Sequence, residues 1–294
     1  MNTLVVKNLT KVASLFAYCE QYFNLLHTST RTITYTTHAF CRQFKVESEG
    51  IMKIKVINPN TTWSMTQTIG EAARAVSSTD VEIIAVSPDH GPASIEGYYD
   101  EAMACLGLLE EIRKGELEGV DAYVIACFGD PGLDAAREIT KSPVIGVAEA
   151  AMRTACYLAT GFSVVTTLTR TVVIAEHLVD KYGVRSHCRR IRASDIAVLE
   201  LEDPNSNAYK TILEECRRAL LEDGSGAIVL GCAGMADLCE RLQAELGVPV
   251  IDGVAAATVT AESLIRARLM TSKRGDYANP LNKTYKGIVS PWAP

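Results

Sequence analysis

The chain has 294 residues, of which 48% are hydrophobic and 22% charged, and its formal net charge is −6 at pH 7. This composition is typical of a globular protein with a large core, and the scattered basic residues argue against nucleic acid or an anionic membrane as a partner. Because no apolar run reaches the ~20 residues that span a bilayer and no secretory signal pattern opens the chain, the sequence predicts a cytoplasmic protein that acts on a small molecule.

Residues 1–51 differ in composition from the rest of the chain. They are rich in threonine and serine, contain few acids and show no alternation of strand-like and helix-like patterns. Met52 stands directly before the first predicted strand. Three interpretations are open: an upstream-start artefact, a genuine appendage, or a weak transit-like segment, against which Glu20, Glu47 and Glu49 count. We treat 1–51 as a poorly structured N-terminal extension outside the fold.

From Lys53 onward, short apolar runs rich in β-branched residues alternate with amphipathic stretches. This pattern is typical of βα units that build parallel sheets whose strands are buried on both faces. Strands are predicted at 54–57, 82–86, 121–126, 143–147, 162–166, 188–192, 226–230 and 248–251. Helices are predicted at 62–77, 98–114, 131–140, 149–160, 169–182, 206–222, 235–246 and 254–269.

The second half of this region repeats the first. The segments DAYVIACFGDPGL and SPVIGV correspond to GAIVLGCAGMADL and VPVIDGV, and the strand in KIKVINPNTT has a counterpart in GFSVVTTLTR. Corresponding positions, such as Cys127 and Cys232, are about 105 residues apart. Self-similarity of this kind indicates an internal duplication.

Eight βα units fit two architectures. They could close into one barrel, in which the third and seventh strands would also face each other, and the pattern leaves this open. We prefer an α/β fold of two pseudo-symmetric doubly wound parallel-sheet lobes with the active site in the cleft between them. The duplicated motifs then meet beyond the carboxyl ends of strands, where such folds bind ligands. The predicted first lobe comprises 52–147 plus 252–294, and the second comprises 148–251.

Two of the nine cysteines occupy equivalent positions. The odd number of cysteines and the lack of a C-x-x-C pair predict free thiols rather than a disulfide framework. Cys127 and Cys232 each follow a predicted strand and precede a predicted helix, whose amino terminus favours a thiolate with a pKa near neutrality. Gly129 and Gly234 lie two residues further on, where backbone amides could stabilise charge on a carbonyl oxygen.

Two equivalent cysteines predict a pair of proton carriers, one on each face of a planar intermediate. Inversion of a carbon next to a carbonyl needs one group to remove the proton as a base and another to return one as an acid. The sequence therefore predicts a racemase that works by two-base proton transfer between Cys127 and Cys232. The alternative is a pair of buried cysteines in a structural repeat, since a free cysteine is often a small buried hydrophobe.

From about Lys53 to Ile288 the chain resembles the aspartate/glutamate racemase superfamily and, within it, the hydantoin and allantoin racemases. The resemblance is carried by KIKVINPNT, GPASIEGYYDEA, IACFGDPGLDAARE, PVIGVAEAAM, FSVVTT, EDGSGAIVLGCAGM and VPVIDGVAAA. It implies two pseudo-symmetric α/β lobes and cofactor-independent proton transfer by two cysteines that match Cys127 and Cys232. It also implies a homo-oligomer, a tetramer or hexamer.

The resemblance also narrows the substrate. Relatives that act on free glutamate typically carry Asn-Thr after the first cysteine and Thr-His after the second. Here these positions are Phe128-Gly129 and Ala233-Gly234, which suit a neutral planar ring better than a charged amino acid. The resemblance therefore implies an allantoin racemase activity in purine catabolism. Alternatives are a racemase of other 5-substituted hydantoins, an amino-acid racemase or diacid isomerase of the same superfamily, and a non-catalytic small-ligand-binding protein.

Further residues at predicted strand ends are candidates for substrate binding. Asn58 follows the first strand, although Asn-Pro-Asn is also an ordinary turn sequence. Ser94 and Ile95 lie in the loop after the second strand, where Gly and Pro could equally shape a turn. Thr166 and Thr167 occupy the second-half counterpart of Asn58, and their alternative role is to cap the following helix.

Other chemically capable residues are assigned structural roles. Asp130 is predicted to stabilise the helix at 131–140 through its charge, while Glu149 and Asp252 suit helix amino termini. Lys273 belongs to a solvated tail or a cover over the first lobe. No histidine has a metal-ligand spacing, and no H-E-x-x-H, G-x-G-x-x-G or Walker motif occurs, so the sequence predicts no metal and no cofactor.

Overall fold

The computed structural model of the chain describes residues 51–203 and 205–294. The segment 1–50, which carries nearly all of the predicted N-terminal extension, lies outside the described residues. In the described residues, eight strands form two four-stranded sheets whose strand pairs are all parallel. The strands are β1 (Met52–Ile57), β2 (Val81–Val86), β3 (Ala122–Ile125), β4 (Val144–Gly146), β5 (Phe162–Thr166), β6 (Cys188–Ala193), β7 (Ala227–Gly231) and β8 (Val250–Ile251).

The two sheets have the same strand order, β2-β1-β3-β4 and β6-β5-β7-β8. In both sheets the two inner strands are fully paired, as Ile54 to Ala122 and Val164 to Val229 illustrate. Two separate sheets with equivalent order confirm the prediction of duplicated parallel-sheet lobes. The alternative of a single eight-stranded barrel is wrong, because no strand pair joins the two sheets within the described residues.

Eight α-helices of the described region flank the sheets, close to the predicted positions. They are α1 (Trp63–Val76), α2 (Tyr98–Glu118), α3 (Leu133–Ile139), α4 (Val147–Leu158), α5 (Val172–Lys181), α6 (Ala208–Glu222), α7 (Cys239–Leu246) and α8 (Gly253–Arg266). The predicted helix at 235–246 is divided, because Ala233–Leu238 form a 3₁₀ helix before α7 begins. Helix α2 runs one turn longer than predicted and ends at Gly119, whose φ of 69° is left-handed.

An apolar core connects the two sheets. Side chains of β3 and α2 in the first lobe and of β5 and β7 in the second belong to one buried cluster. Helix α4 crosses between them and contributes Ala151, Met152 and Ala155, each with no exposed surface. Burial of this surface therefore stabilises both lobes together.

The C-terminal part of the chain returns to the first lobe. On α8, Glu262 accepts hydrogen bonds from Ser78, and Arg266 pairs with Asp80 at 2.7 Å. Further on, the Lys273 ammonium donates to the Arg137 and Glu138 carbonyl oxygens at the end of α3, which makes this segment a cover over the first lobe. These contacts support the lobe boundaries of 52–147 plus 252–294 and 148–251, which we retain as a proposal.

Candidate active site

A pocket lies where the carboxyl ends of the inner strands of both sheets meet. In a sheet of order 2-1-3-4 the chain turns in opposite directions from the two inner strands, which opens a crevice at their carboxyl ends. Asn58 and Cys127 follow β1 and β3, and Thr167 and Cys232 follow β5 and β7. All four residues line one concave pocket, the kind of site in which proteins bind small molecules.

The pocket wall contains most of the residues that the sequence singled out. Of the eleven predicted site residues, ten line the pocket and Ser94 does not. The ten are Asn58, Ile95, Cys127, Phe128, Gly129, Thr166, Thr167, Cys232, Ala233 and Gly234. The remaining lining residues are Asn60, Met65, Gly97, Glu101, Ala126, Thr171, Ile174, Ala175, Val198 and Gly231.

The two cysteines have matched surroundings. The Gly129 amide hydrogen-bonds the sulfur of Cys127, and the Gly234 amide does the same for Cys232. The predicted position at a helix amino terminus holds only for Cys232, which directly precedes the 3₁₀ helix at Ala233. Cys127 stands in a turn six residues before α3, so its partner amide belongs to that turn and not to a helix.

Burial raises the pKa of both thiols, contrary to the prediction of a pKa near neutrality. For Cys232 the pKa is raised to about 11, with the Glu96 charge adding to the effect of burial. For Cys127 it is raised further, and the charges of Glu101 and Asp130 contribute. Among the described residues that line the pocket there is no lysine, arginine or histidine to offset this effect. The protonated thiol is therefore favoured at both positions.

The polar side chains at the strand ends are held by hydrogen bonds. The Asn58 amide donates to Asn60 Oδ1 at 2.9 Å and to Thr66 Oγ1 at 3.0 Å, so the NPN segment is both a turn and part of the pocket wall. In the second lobe, Thr166 Oγ1 donates to the Gly231 carbonyl oxygen at 3.1 Å. Neither residue at 166–167 makes a capping hydrogen bond to the next helix. Both lobes thus present fixed polar groups at the cleft.

Phe128 and Ala233 are mostly enclosed by protein. Phe128 is 7% exposed and packs in the core shared by the lobes, and Ala233 is 5% exposed. The dipeptides that follow the two cysteines, Phe128-Gly129 and Ala233-Gly234, therefore add only apolar side chains to the pocket wall. Such a surface suits the face of an uncharged ring.

The loop after β2 reaches across the mouth of the cleft. The Glu96 carboxylate accepts a hydrogen bond of 3.0 Å from the Val198 amide of the second lobe. The Tyr98 hydroxyl lies 3.1 Å from His177 Nδ1, and the two rings stack. Ile95 takes the predicted place on the pocket wall, while Ser94 lies half-buried outside it. The prediction of a substrate contact by Ser94 therefore has no geometric support.

Sequence reasoning missed Glu101, an acid of the pocket wall in the first turn of α2. A Cβ atom at Gly129 would overlap Oε1 of Glu101, so the lack of a side chain at 129 makes room for this carboxyl. Burial raises the pKa of Glu101 to about 7, and the charges of Asp130 and Asp100 add to it. The helical spacing of Glu101 with Cys105 and the buried Leu108 was the signal that this acid faces inward.

Asp130 has a structural role, but at a different helix from the predicted one. Its backbone is left-handed, with φ of 45°, and its carboxylate accepts hydrogen bonds from the Ala148 and Glu149 amides at the start of α4. The carboxylate makes no capping hydrogen bond to the helix that follows it in the chain, and its bonded helix is α4. Asp252 caps α8 as expected, through the Val254 and Ala255 amides.

Three further features of the described residues concern disulfides, metal ions and membranes. The seven cysteines among them are all free thiols, as predicted. In that part of the chain, no group of three or more His, Cys, Asp or Glu residues could hold a metal ion. None of its helices is long and apolar enough to cross a membrane.

Comparison with known proteins gives a consistent family. A family model described as Asp/Glu/Hydantoin racemase matches residues 54–261. A hydantoin racemase of Rhizobium meliloti is 53% identical over 236 residues, which cover 80% of this chain and 98% of that protein.

Two solved structures extend the similarity to the fold. An allantoin racemase from Klebsiella pneumoniae is 56% identical with a TM-score of 0.81, covering 83% of this chain and 99% of that one. An allantoin racemase from Pseudomonas fluorescens is 41% identical with a TM-score of 0.78, covering 80% and 100%. These similarities make the protein a racemase and remove the alternative of a non-catalytic binding protein. The chain belongs to the Asp/Glu/hydantoin racemase family.

Proposed function

We propose that this racemase inverts C5 of a hydantoin-type ring, with allantoin as its leading substrate, by proton transfer between Cys127 and Cys232. The observation that carries the proposal is the placement of the two cysteines. They follow equivalent strands of two equivalent sheets and line one pocket, and each sulfur accepts a hydrogen bond from the amide two residues further on. This is the arrangement that two-sided proton exchange at one carbon requires.

In the proposed reaction one cysteine is a thiolate and the other a thiol. The thiolate takes the proton from C5, and the electron pair of the broken C–H bond passes into the neighbouring carbonyl to give a planar enolate. The other thiol then delivers its proton to the opposite face of C5, so the two sulfurs exchange protonation states in each turnover. The raised pKa of each thiol makes its thiolate the stronger base once formed, as removal of a carbon-bound proton requires.

The charge of the pocket favours a neutral ring over a free amino acid. None of the described lining residues is a cation, and the titratable groups of the wall are two thiols and the Glu101 carboxyl. An amino acid would bring a carboxylate into this enclosed site without a partner, which is costly. The apolar surfaces of Phe128 and Ala233 and the fixed groups of Asn58 and Thr166 instead suit a ring with carbonyl and N–H edges.

Allantoin is preferred among hydantoins because of the similarity to two solved proteins named as allantoin racemases. Relatives named as hydantoin racemases have comparable identity, so racemisation of other 5-substituted hydantoins is the second candidate. With allantoin as substrate the enzyme would serve purine catabolism in the cytoplasm. We further propose that it works as a homo-oligomer, a tetramer or hexamer.

The test is the decay of circular dichroism of pure (R)- and (S)-allantoin, measured beside 5-methylhydantoin and glutamate. We expect decay from both hands of allantoin with the wild type and none with Cys127→Ser or Cys232→Ser. Cys156→Ser, a substitution of a half-buried thiol outside the pocket, is the matched control and keeps full activity. Activity on another hydantoin without allantoin decay would keep the mechanism and overturn the substrate. Loss of activity in only one of the two cysteine variants would overturn the two-base mechanism.

A further inference from the structure

The first turn of α2 places a carboxyl without a partner in the pocket wall. Among the described residues, no hydrogen bond or ion pair engages the Glu101 side chain, and only its backbone groups are bonded, to Gly97 and Cys105. Every other acid discussed at the cleft is satisfied: Glu96 by Val198, and Asp130 by three donors. A half-buried carboxyl that accepts nothing from the protein is free to accept from a ligand.

The neighbouring backbone makes room for this carboxyl and leaves it beside the reacting groups. Gly129 has no side chain, and the carboxyl of Glu101 lies where its Cβ would be. Cys127 is close enough for the Glu101 charge to raise the pKa of its thiol. Glu101 and both sulfurs line the same pocket, so its carboxyl is within reach of a ligand held between the two sulfurs.

We infer that Glu101 is a specificity-determining residue, whose carboxylate accepts a hydrogen bond from an N–H group of the substrate and repels substrates that carry a carboxylate. The inference rests on the proposed function, which supplies a neutral substrate rich in N–H groups. A carboxylate can only accept, so it selects a donor at this point of the pocket. In a wall without cations, its charge disfavours a second negative charge.

Glu101 changes its charge within a pH range in which activity can be measured. Its pKa is raised to about 7 by burial, with contributions from Asp130 of the turn after β3 and Asp100 of the same helix. The thiols of Cys127 and Cys105 are the other titratable groups on which its charge acts. Above pH 7 the group accepts a hydrogen bond as an anion, and below pH 7 it becomes a neutral acid.

The test compares two substrates that differ in charge, allantoin and hydantoin-5-acetate, in the wild type and in Glu101→Gln. The measured quantity is the ratio of kcat/KM for allantoin to kcat/KM for hydantoin-5-acetate, in which general effects on catalysis cancel. At pH 8 we expect Glu101→Gln to lower this ratio about tenfold or more, since a hydrogen bond to a charged group and a charge repulsion are both lost. Glu110→Gln, on the outer part of the same helix, leaves the ratio unchanged.

The pH dependence provides a second readout that a merely structural role would not move. In the wild type the ratio should rise as the pH passes through about 7, and in Glu101→Gln it should be flat. A change of less than threefold in the variant, or the same rise in both proteins, overturns the inference. If the wild type racemises neither compound, the proposed function has failed. Calorimetric binding of unsubstituted hydantoin then tests Glu101 alone: tighter binding at pH 8 than at pH 6 in the wild type only supports it, and any other pattern overturns it.

Discussion

The Tyr182 hydroxyl donates a hydrogen bond of 2.5 Å to Oδ2 of Asp130 and so joins helix α5 of the second lobe to the turn that follows Cys127. The same carboxylate accepts from the Ala148 and Glu149 amides at the start of α4. One buried side chain therefore holds the cysteine turn, the helix between the sheets and the facing lobe in fixed positions. Burial raises the pKa of Asp130 to about 6, while these three hydrogen bonds lower it.

Substitution of Tyr182 by phenylalanine is expected to destabilise the protein more at pH 8 than at pH 5. The ionised Asp130 loses a donor that it cannot replace in its buried position, which costs about 1–3 kcal/mol of unfolding free energy. The raised pKa of Asp130 means that its contribution to stability declines as the pH rises through about 6. Without the Tyr182 hydrogen bond the pKa of Asp130 rises further. The additional loss of unfolding free energy therefore appears at pH 8, where Asp130 is ionised.

Urea unfolding at the two pH values measures this difference. Tyr209→Phe is the matched control, because its hydroxyl also donates to a carboxylate, Glu245, but at the surface. The control should lose no more than about 0.5 kcal/mol at either pH. Equal losses of unfolding free energy in the two variants would show that the buried contact with Asp130 stabilises the protein no more than the surface contact with Glu245.

The two halves of the duplicated sequence cap equivalent helices, α4 and α8, with carboxylates that come from different positions. Helix α8 is preceded by Asp252, with φ −81° and ψ 129°, and this residue caps the helix itself. Helix α4 is preceded by Gly146, with φ −81° and ψ 139°, and the cap is supplied by Asp130. The Asp130 carboxyl occupies the place where a side chain of Gly146 would lie.

We predict that the cap found in the second half of the duplicated sequence also works in the first half, at the start of α4. Asp130→Gly, which the left-handed φ of 45° tolerates, should cost about 2–3 kcal/mol through loss of the cap and of the Tyr182 contact. Gly146→Asp alone should also destabilise, because two carboxylates would overlap. The double variant should recover at least half of the loss of Asp130→Gly. Additive losses in a double-mutant cycle of thermal unfolding would contradict this.

The two thiols should react at different rates with iodoacetamide. Burial raises both pKa values, and Cys127 faces the charges of two acids, Glu101 and Asp130, where Cys232 faces that of Glu96, so the pKa of Cys127 is the higher of the two. Because only the thiolate reacts and a lower pKa gives a larger thiolate population, we expect Cys232 to be modified faster than Cys127 at pH 8.

Peptide mass spectrometry after short exposures gives both rates in one sample. Cys216, which has no exposed surface, serves as the unmodified reference in the folded protein. Removal of the nearby charge in Glu101→Gln should raise the rate at Cys127 and leave that at Cys232 nearly unchanged. Faster modification of Cys127 than of Cys232 in the wild type would contradict the prediction that Cys127 has the higher pKa.

The fold was predictable because its signals are local and repeated. Eight β-branched runs with period-matched helices between them predicted all eight strands within a few residues, and the duplication predicted two sheets of equal order. The choice between two lobes and one barrel depended on where the strand ends meet. That depends on pairing between distant strands, which no local pattern encodes.

The parts of the site that sequence reasoning missed depend on contacts between distant segments. Asp130 caps α4 because its backbone is left-handed and Gly146 leaves space, neither of which is visible at position 130 itself. Likewise, the pKa of Cys127 is governed by burial and by Glu101, which lies 26 positions earlier in the chain. The helical stripe that carries Glu101 was readable, but an acid in a first helical turn is usually solvated.

The stability of the wild type should fall between pH 4.5 and pH 7 because of Glu101, and Glu101→Gln should remove this fall. The pKa of Glu101 is raised from 4.5 to about 7 in the folded protein, chiefly by burial. Its contribution is therefore fully present below pH 4.5 and lost as the pH rises through 7. Complete conversion of the shift would give ~3 kcal/mol, and partial exposure reduces this to about 1–2 kcal/mol.

Unfolding by urea at pH 5 and at pH 8 separates this effect from those of other groups, because their contributions cancel in the difference between the variant and the wild type. From pH 5 to pH 8 the unfolding free energy of Glu101→Gln should rise by about 1–2 kcal/mol relative to that of the wild type. That of Glu110→Gln should stay almost unchanged relative to the wild type. A residue that lowers the stability of the folded protein is expected at a functional site, where its role is in function rather than in stability. A variant that gains nothing would mean that the Glu101 carboxyl is solvated and that its pKa is not raised in the folded protein.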